Sequence, residues 1–476
     1  MPRPIIVLPN CSGGKMNPSL RWWALTLVVA AEFVVFLDIA IVNVALPTMR
    51  TDLDLGAGEV SLVVDSYQVI FGGLLLVGGR IADFFGRKRV FLLGFGIFTI
   101  ASLGAGLATS GALLIASRAV QGLGAALLVP ATTALIVAVF QDERERSKAF
   151  GIWGAMRAGG ASSGAALGGL ITQALGWEWV FLINVPIGIA VLLAGPALLP
   201  HLDSDPGARP GFVGALLGTG GLLVLSAAFV EAPSAGWTDP LTLGLTAAGV
   251  LLLVLFTVLQ ARSSNKLVPG RVLTRTVVAT TTVSLLYGAS HIPLFLLLSF
   301  YLQNSLRYEP LLAGAAMLPV GLVVMASSAT LVPRLMSRFG ARHTLLLGLG
   351  LLAVALLALA RAPHDGGSYF VDVLPAGVVA AVGLSCCFSG VTVPAVESVA
   401  DQDTGIASGL VNSAQRIGSG LGVAVLLPLP AAGFNPQTTA LVGAAVFAAL
   451  GALVAMTAIP PKRAEISEVR QAESAR

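Results

Sequence analysis

The chain is 476 residues long, 56% hydrophobic and only 11% charged, with a mean hydropathy of +0.88. Soluble domains carry about 25% charged residues, so this composition excludes an ordinary soluble enzyme or binding domain. The formal net charge of +4 is what basic cytoplasmic loops give a membrane protein, and it implies no nucleic-acid partner.

Uncharged stretches such as Val90–Ala116 are long enough to cross a hydrocarbon core of about 30 Å as helices. They lack the apolar–polar alternation of barrel strands, so the chain is expected to be an all-α membrane protein. Taken in chain order, the apolar runs predict fourteen spans, at roughly 22–46, 60–79, 90–109, 111–139, 149–173, 180–200, 211–231, 240–260, 277–302, 311–333, 344–361, 370–395, 404–428 and 438–459. Met1–Leu20 lacks a signal peptide's basic, apolar and cleavable order, so the first span is expected to stay as an anchor. The short loops leave no room for an enzyme domain. Cys11, Cys386 and Cys387 form neither a disulfide framework nor a metal-ligand spacing, and no metal or cofactor is expected.

Lys and Arg set the expected orientation. With the N-terminus in the cytoplasm, the outer segments hold Arg50, Arg307 and Arg361, and nearly all other basic residues outside the spans fall inside. An even number of spans returns the C-terminus to the cytoplasm. A repeat is also visible. Gly79-Arg-Ile-Ala-Asp-Phe-Phe-Gly-Arg-Lys-Arg89 joins spans two and three, and Pro333-Arg-Leu-Met-Ser-Arg-Phe-Gly-Ala-Arg-His343 joins spans ten and eleven. Each is a short basic turn with a glycine at the same place, Gly86 or Gly340. Internal repeats of this kind build many transporters. The register divides the chain into a tail (1–21), a six-helix half (22–200), an inserted pair with its loops (201–276), a second six-helix half (277–460) and a tail (461–476).

Several further stretches carry a resemblance. The Gly79–Arg89 turn resembles the signature loop of the major facilitator superfamily. Leu37-Asp-Ile-Ala-Ile-Val-Asn-Val-Ala-Leu-Pro47, Arg118-Ala-Val-Gln-Gly-Leu-Gly-Ala-Ala126, Gly164-Ala-Ala-Leu-Gly-Gly169 and Trp177-Glu-Trp-Val-Phe-Leu-Ile-Asn-Val-Pro-Ile-Gly188 are similar, in that order, to helix motifs of its fourteen-helix drug:proton antiporters. Tyr301-Leu-Gln303 and Gly405-Ile-Ala-Ser-Gly409 resemble weaker patterns of the second half. The resemblance implies a major facilitator fold and proton-coupled efflux of drugs or antibiotics. It implies small amphipathic or aromatic substrates, and places the chain in the cell membrane as a monomer, with protons and the bilayer as its other partners.

Candidate residues follow. Charges within spans are rare and usually functional, which singles out Glu32, Asp38, Asp65, Arg118 and Arg157. The resemblance implies that Arg118 supports proton coupling through a nearby carboxylate; a fixed structural ion pair is the alternative. Asp38 matches the family's first-helix acid and Asp65 an acid often seen in its second helix. Either a coupling or a structural role is open to them. Asp83, beside Arg80 and Arg87, can form a charge latch in the turn framed by Gly79 and Gly86, or the basic residues there serve topology alone. Gly160, Gly164, Gly168 and Gly169, with Gly159, make a small-residue ridge for close helix packing. Arg416 in span thirteen and His291 in span nine are the other charged or titratable groups of note.

The sequence also departs from the pattern. Ala165 stands where proline is usual, Ala40 where threonine is, and Glu178 where arginine is. Glu32 and Arg157 are charged where the family is usually uncharged. A Glu32–Arg157 pair between spans one and five would offset two costly charges; otherwise Arg157 lines the cavity and attracts an acidic substrate. Ala165 leaves a metabolite transporter or symporter of the same fold open. A non-transporting scaffold or sensor is the reading from another class.

Overall fold

In hydrocarbon every backbone N–H and C=O must find a partner within the protein, and the chain meets that demand with helices almost throughout. The computed structural model describes residues 18–200, 212–262, 268–363, 367–400, 403–427 and 436–459. The expected tails, apart from residues 18–21, and Cys11 lie outside these.

Helix α1 (Pro18–Asp52) turns directly into α2 (Ala57–Phe85), and Gly86 separates α2 from α3 (Arg87–Gly106). The Ser110 hydroxyl accepts a hydrogen bond from the Leu113 N–H to start α4 (Gly111–Val139), and the Asp142 carboxylate does the same for Glu145 at the head of α5 (Glu143–Leu175). The expected sixth span is broken into a single turn, α6 (Trp179–Leu182), and α7 (Asn184–Leu198). Next come α8 (Phe212–Ala235) and α9 (Pro240–Arg262). Helix α10 (Arg275–Phe300), capped by Thr274, runs on into a π-helical turn at Tyr301–Ser305. Helix α11 (Pro310–Ala360) is followed by a second π-helical turn (Tyr369–Val373), α12 (Leu374–Glu397), α13 (Thr404–Leu426) and α14 (Pro436–Ala458).

Helix α11 counts 51 residues. Straight, it would be about 76 Å long, more than twice the about 30 Å of a hydrocarbon core. It is bent at Gly340, whose φ of 79° and ψ of 170° are not helical. Gly86 has a φ of 94°. The two glycines of the repeated basic turn therefore share a backbone conformation that a side chain disfavours, and both turn the chain back. Among the described residues, ten helical segments are long and apolar enough to cross a membrane.

Two sets of helices each build a hydrophobic core, one from residues 24–199 and one chiefly from residues 272–459. In the first, α1 packs on α5, and α2 and α3 on α4. In the second, α10 packs on α13, and α11 on α12 and α14. The sets meet along two seams, α2 against α13 and α5 against α11. Helix α8 pairs with α9 and also lies on α2 and α13. Large apolar side chains such as Ile100, Leu193 and Leu216 remain exposed on the outer faces, as lipid contact requires.

Candidate functional site

Asp38 on α1 is fully buried and sits in a knot of polar side chains drawn from several helices. Arg118 Nη1 on α4 donates to Asp38 Oδ2 at 2.5 Å. Gln121 Nε2 and Asn184 Nδ2 each donate to Asp38 Oδ1 at 3.2 Å, and both also reach Ser102 Oγ. The Arg118 guanidinium donates further to Gln121 Oε1 and to the Val63 carbonyl on α2, and lies 4.2 Å from the centre of the Tyr67 ring. A carboxylate and a guanidinium buried this way are tolerable only when so completely partnered. Gln121 and Asn184 stand within the 118–126 and 177–188 motif stretches, but only the fold identifies them as ligands of Asp38. Ser102 carried no sequence signal.

A second pair lies farther along α1. Arg157 Nε on α5 is 3.4 Å from Glu32 Oε1, while Thr132 Oγ1 on α4 donates to Glu32 Oε2 at 3.1 Å. Glu32 is fully buried; Arg157 remains partly accessible, with a side-chain exposure of 18%. Five residues separate Glu32 from Asp38, and the two carboxylates reach different partners on α4, Thr132 and Arg118.

A cavity of about 480 Å³ opens where the two helix sets face one another. Its apolar walls include Phe36, Ile292, Phe295 and Phe388; its polar lining includes Gln68, Arg157, His291 and Arg416. Along α10, Tyr287, His291 and Phe295 form a ladder of rings, with centroids 5.3 Å and 5.8 Å apart. The guanidinium of Arg416 lies 3.8 Å from the centre of Phe71 and 5.3 Å from that of Phe36; Arg157 lies 4.3 Å from Phe36 and 4.6 Å from Trp153. The Phe36 ring thus contacts both cations. Asp38 and Arg118 do not line this cavity.

Asp65 is also buried away from it. It faces α13 at Gly420 and α8 at Ser226. The expected latch rests on Asp83, whose side chain lies outside the described residues. Gly79 lies within α2, Gly86 separates α2 from α3, and Arg87 opens α3.

The glycine ridge of α5 packs where close approach is needed. A Cβ on Gly160 would meet the Phe33 carbonyl at 2.6 Å, one on Gly164 the Leu37 carbonyl at 2.9 Å, and one on Gly168 the Ile41 carbonyl at 2.9 Å, so these three seat α5 on α1. Gly169 faces the other way, onto Pro310 of α11. Gly159 has nothing within 4 Å and takes no part. Near Gly169, Gln173 Nε2 donates to Glu309 at 2.5 Å and Gln173 Oε1 accepts from the Leu311 N–H at 3.2 Å, tying the end of α5 to the start of α11.

Known proteins resemble this arrangement. The family model described as Major Facilitator Superfamily matches residues 28–423. A puromycin resistance protein of Streptomyces alboniger is 41% identical over 85% of this chain and 81% of its own. A cephamycin export protein of Amycolatopsis lactamdurans is 35% identical over 94% and 93%. A lincomycin resistance protein of Streptomyces lincolnensis is 32% identical over 93% and 92%. Among solved structures, the POT family transporter PepTSo superposes with a TM-score of 0.69 over 91% of this chain and 97% of its own, at 15% identity, a likeness of fold alone. With the family model spanning most of the chain and relatives above 30% identity matched over at least four-fifths of their length, the chain belongs to the Major Facilitator Superfamily.

Proposed function

We propose that the chain is a membrane efflux transporter that exports antibiotic-like small molecules in exchange for protons by alternating access. The observation that carries this reading is the cavity of about 480 Å³ between the two helix sets, with the Asp38–Arg118 knot buried beside it. The volume falls in the range of about 300–1,000 Å³ that drug-sized ligands occupy. Relatives named for antibiotic export or resistance support the direction of transport.

In this reading the chain crosses the cell membrane fourteen times. Helix α11 supplies two spans on either side of Gly340, and α6 and α7 together supply one. Residues 22–200 and 277–460 are the two six-helix halves, and 201–276 hold the inserted pair α8–α9. Both termini are cytoplasmic, because that orientation keeps the basic turns at Arg87 and Arg338 inside. The protein works as a monomer. The seams α2–α13 and α5–α11 are the surfaces on which the halves rock, and Gln173–Glu309 closes the outer end of the second.

Coupling follows from what a proton does at Asp38. It removes the charge that Arg118, Gln121 and Asn184 converge on, and so loosens α1 from α4. The guanidinium of Arg118 must then find other partners, among them Gln121 Oε1 and the Val63 carbonyl that it already touches. Displacing α1 also displaces the cavity wall, since Phe36, Ile39, Ala40 and Asn43 bracket Asp38 in sequence and line the cavity. The Glu32–Arg157 pair holds α1 to α5 on the same wall. Asp65, on the α2–α13 seam, is a second place where a proton can be carried.

A resistance screen across compound classes in an efflux-deficient host tests the reading. The wild-type chain raises the inhibitory concentration of at least one antibiotic class, and Asp38→Asn does not. A screen in which neither confers resistance supports the scaffold reading instead, and equal resistance from both takes Asp38 out of the coupling.

A further inference from the structure

Arg416 lines the cavity without an acidic partner. Among the described residues no carboxylate lies within the 4 Å of an ion pair; Arg416 Nη1 donates to Gln68 Oε1 at 3.4 Å, and the guanidinium rests on the Phe71 and Phe36 rings. Arg157 brings a second guanidinium to the same cavity, and Glu32, set behind the wall, offsets one charge of the two. No aspartate or glutamate belongs to the lining. A guanidinium inside a membrane protein is costly unless it faces a partner or a ligand, and stacking on rings satisfies its faces while leaving its in-plane N–H groups directed at their surroundings. His291 Nδ1, across the cavity on α10, has no hydrogen-bond partner among the described residues.

We propose that the cavity selects amphipathic aromatic compounds carrying one negative charge, such as a carboxylate or sulfonate, over neutral or cationic ones. This deepens the efflux reading above and rests on it. The anionic group lies against Arg416, where a planar guanidinium gives two parallel hydrogen bonds. The aromatic body lies along the Tyr287–His291–Phe295 ladder, and Met317, Leu384 and Phe388 close the apolar remainder. A cation in the same place would sit beside two guanidiniums with no lining carboxylate to offset it.

The test uses the full chain in everted vesicles and three probes that share one fluorophore: dansylglycine, dansylamide and dansylcadaverine, anionic, neutral and cationic in turn. The anionic probe is expected to accumulate about tenfold faster than either of the others, the ratio that one charge-assisted hydrogen-bonded pair supports. In Arg416→Gln the anion-to-neutral ratio falls towards one, and Arg416→Lys keeps part of it. Equal handling of the three probes, a preference for the cation, or a ratio unchanged in Arg416→Gln overturns the anion preference while leaving efflux in place. Accumulation of none of them by the wild-type protein contradicts efflux itself, and the preference with it. If Arg416→Gln fails to fold, the wild-type ratio and the Arg416→Lys ratio decide the matter.

Discussion

Arg118 and Asp38 form an ion pair at 2.5 Å that is buried within one helix set and does not line the cavity. In the proposed function, proton and substrate have separate places, joined by α1. Substitution at Asp38 or Arg118 is expected to abolish driven transport. Arg118→Ala leaves the Asp38 carboxylate buried with fewer donors, and destabilisation of about 3–5 kcal/mol is expected. Asp38→Asn keeps the shape and most hydrogen bonds and is expected to cost less. Resistance assays read the first effect, and thermal melting of the purified variants reads the second.

The Glu32–Arg157 contact makes a prediction by difference. Removing either partner leaves a charge in a poorly solvated place, so Arg157→Gln and Glu32→Gln should each lower the melting temperature. The double variant Glu32→Gln, Arg157→Gln removes both charges and should recover most of the loss, giving a coupling of about 1–3 kcal/mol in a double-mutant cycle. Additive losses would show that the two side chains do not interact.

The α5 ridge separates glycines that look alike in sequence. Gly164→Val would force its side chain into the Leu37 carbonyl and Ala40 Cβ and should cost about 1–3 kcal/mol by overpacking, with loss of transport. Gly159→Ala, which meets nothing within 4 Å, should leave expression and melting temperature near those of the wild type. Equal behaviour of the two would contradict the packing of α5 on α1.

At the end of the bundle that holds the start of α10, Arg271 Nε and Nη2 donate to Asp403 Oδ2 and Oδ1 at 2.8 Å and 3.0 Å. These hydrogen bonds hold the Asp403 carboxyl below its usual range. Its folded value is depressed, so its contribution to stability is complete above the unfolded value of about 3.9 and is lost as pH falls through the folded one. Asp403→Asn should melt below the wild type at pH 7, and the gap should close in acid below about pH 4. A gap that persists there would assign the difference to packing.

Much of this was legible from residue types. A charge within a span marks itself, which is why Glu32, Asp38, Asp65, Arg118 and Arg157 stood out, and the lone oddities at positions 32 and 157 suggested each other as partners. Gly86 and Gly340 were legible because a tight reversal needs a residue without a side chain. The partners of Asp38 were less so. Ser102 and Asn184 are small polar residues that many helices carry, and periodicity gives a residue's face without naming the helix opposite. Arg416 was visible only as a charge in span thirteen. Its place beside Phe36 and Phe71 depends on α13 meeting α1 and α2, more than 300 residues earlier in the sequence, which no local pattern encodes. Asp65 was visible only as an acid within a span, and its position on α2 turns it to the seam with α13 and α8.

Proton exchange in everted vesicles tests the central claim most directly. With an acid interior established by respiration, adding a compound to which the protein confers resistance should release protons and collapse the gradient in the wild type but not in Asp38→Asn. A gradient that stands unchanged when the wild-type protein takes up that compound, or that collapses equally in Asp38→Asn, would contradict proton-coupled efflux through the Asp38–Arg118 pair.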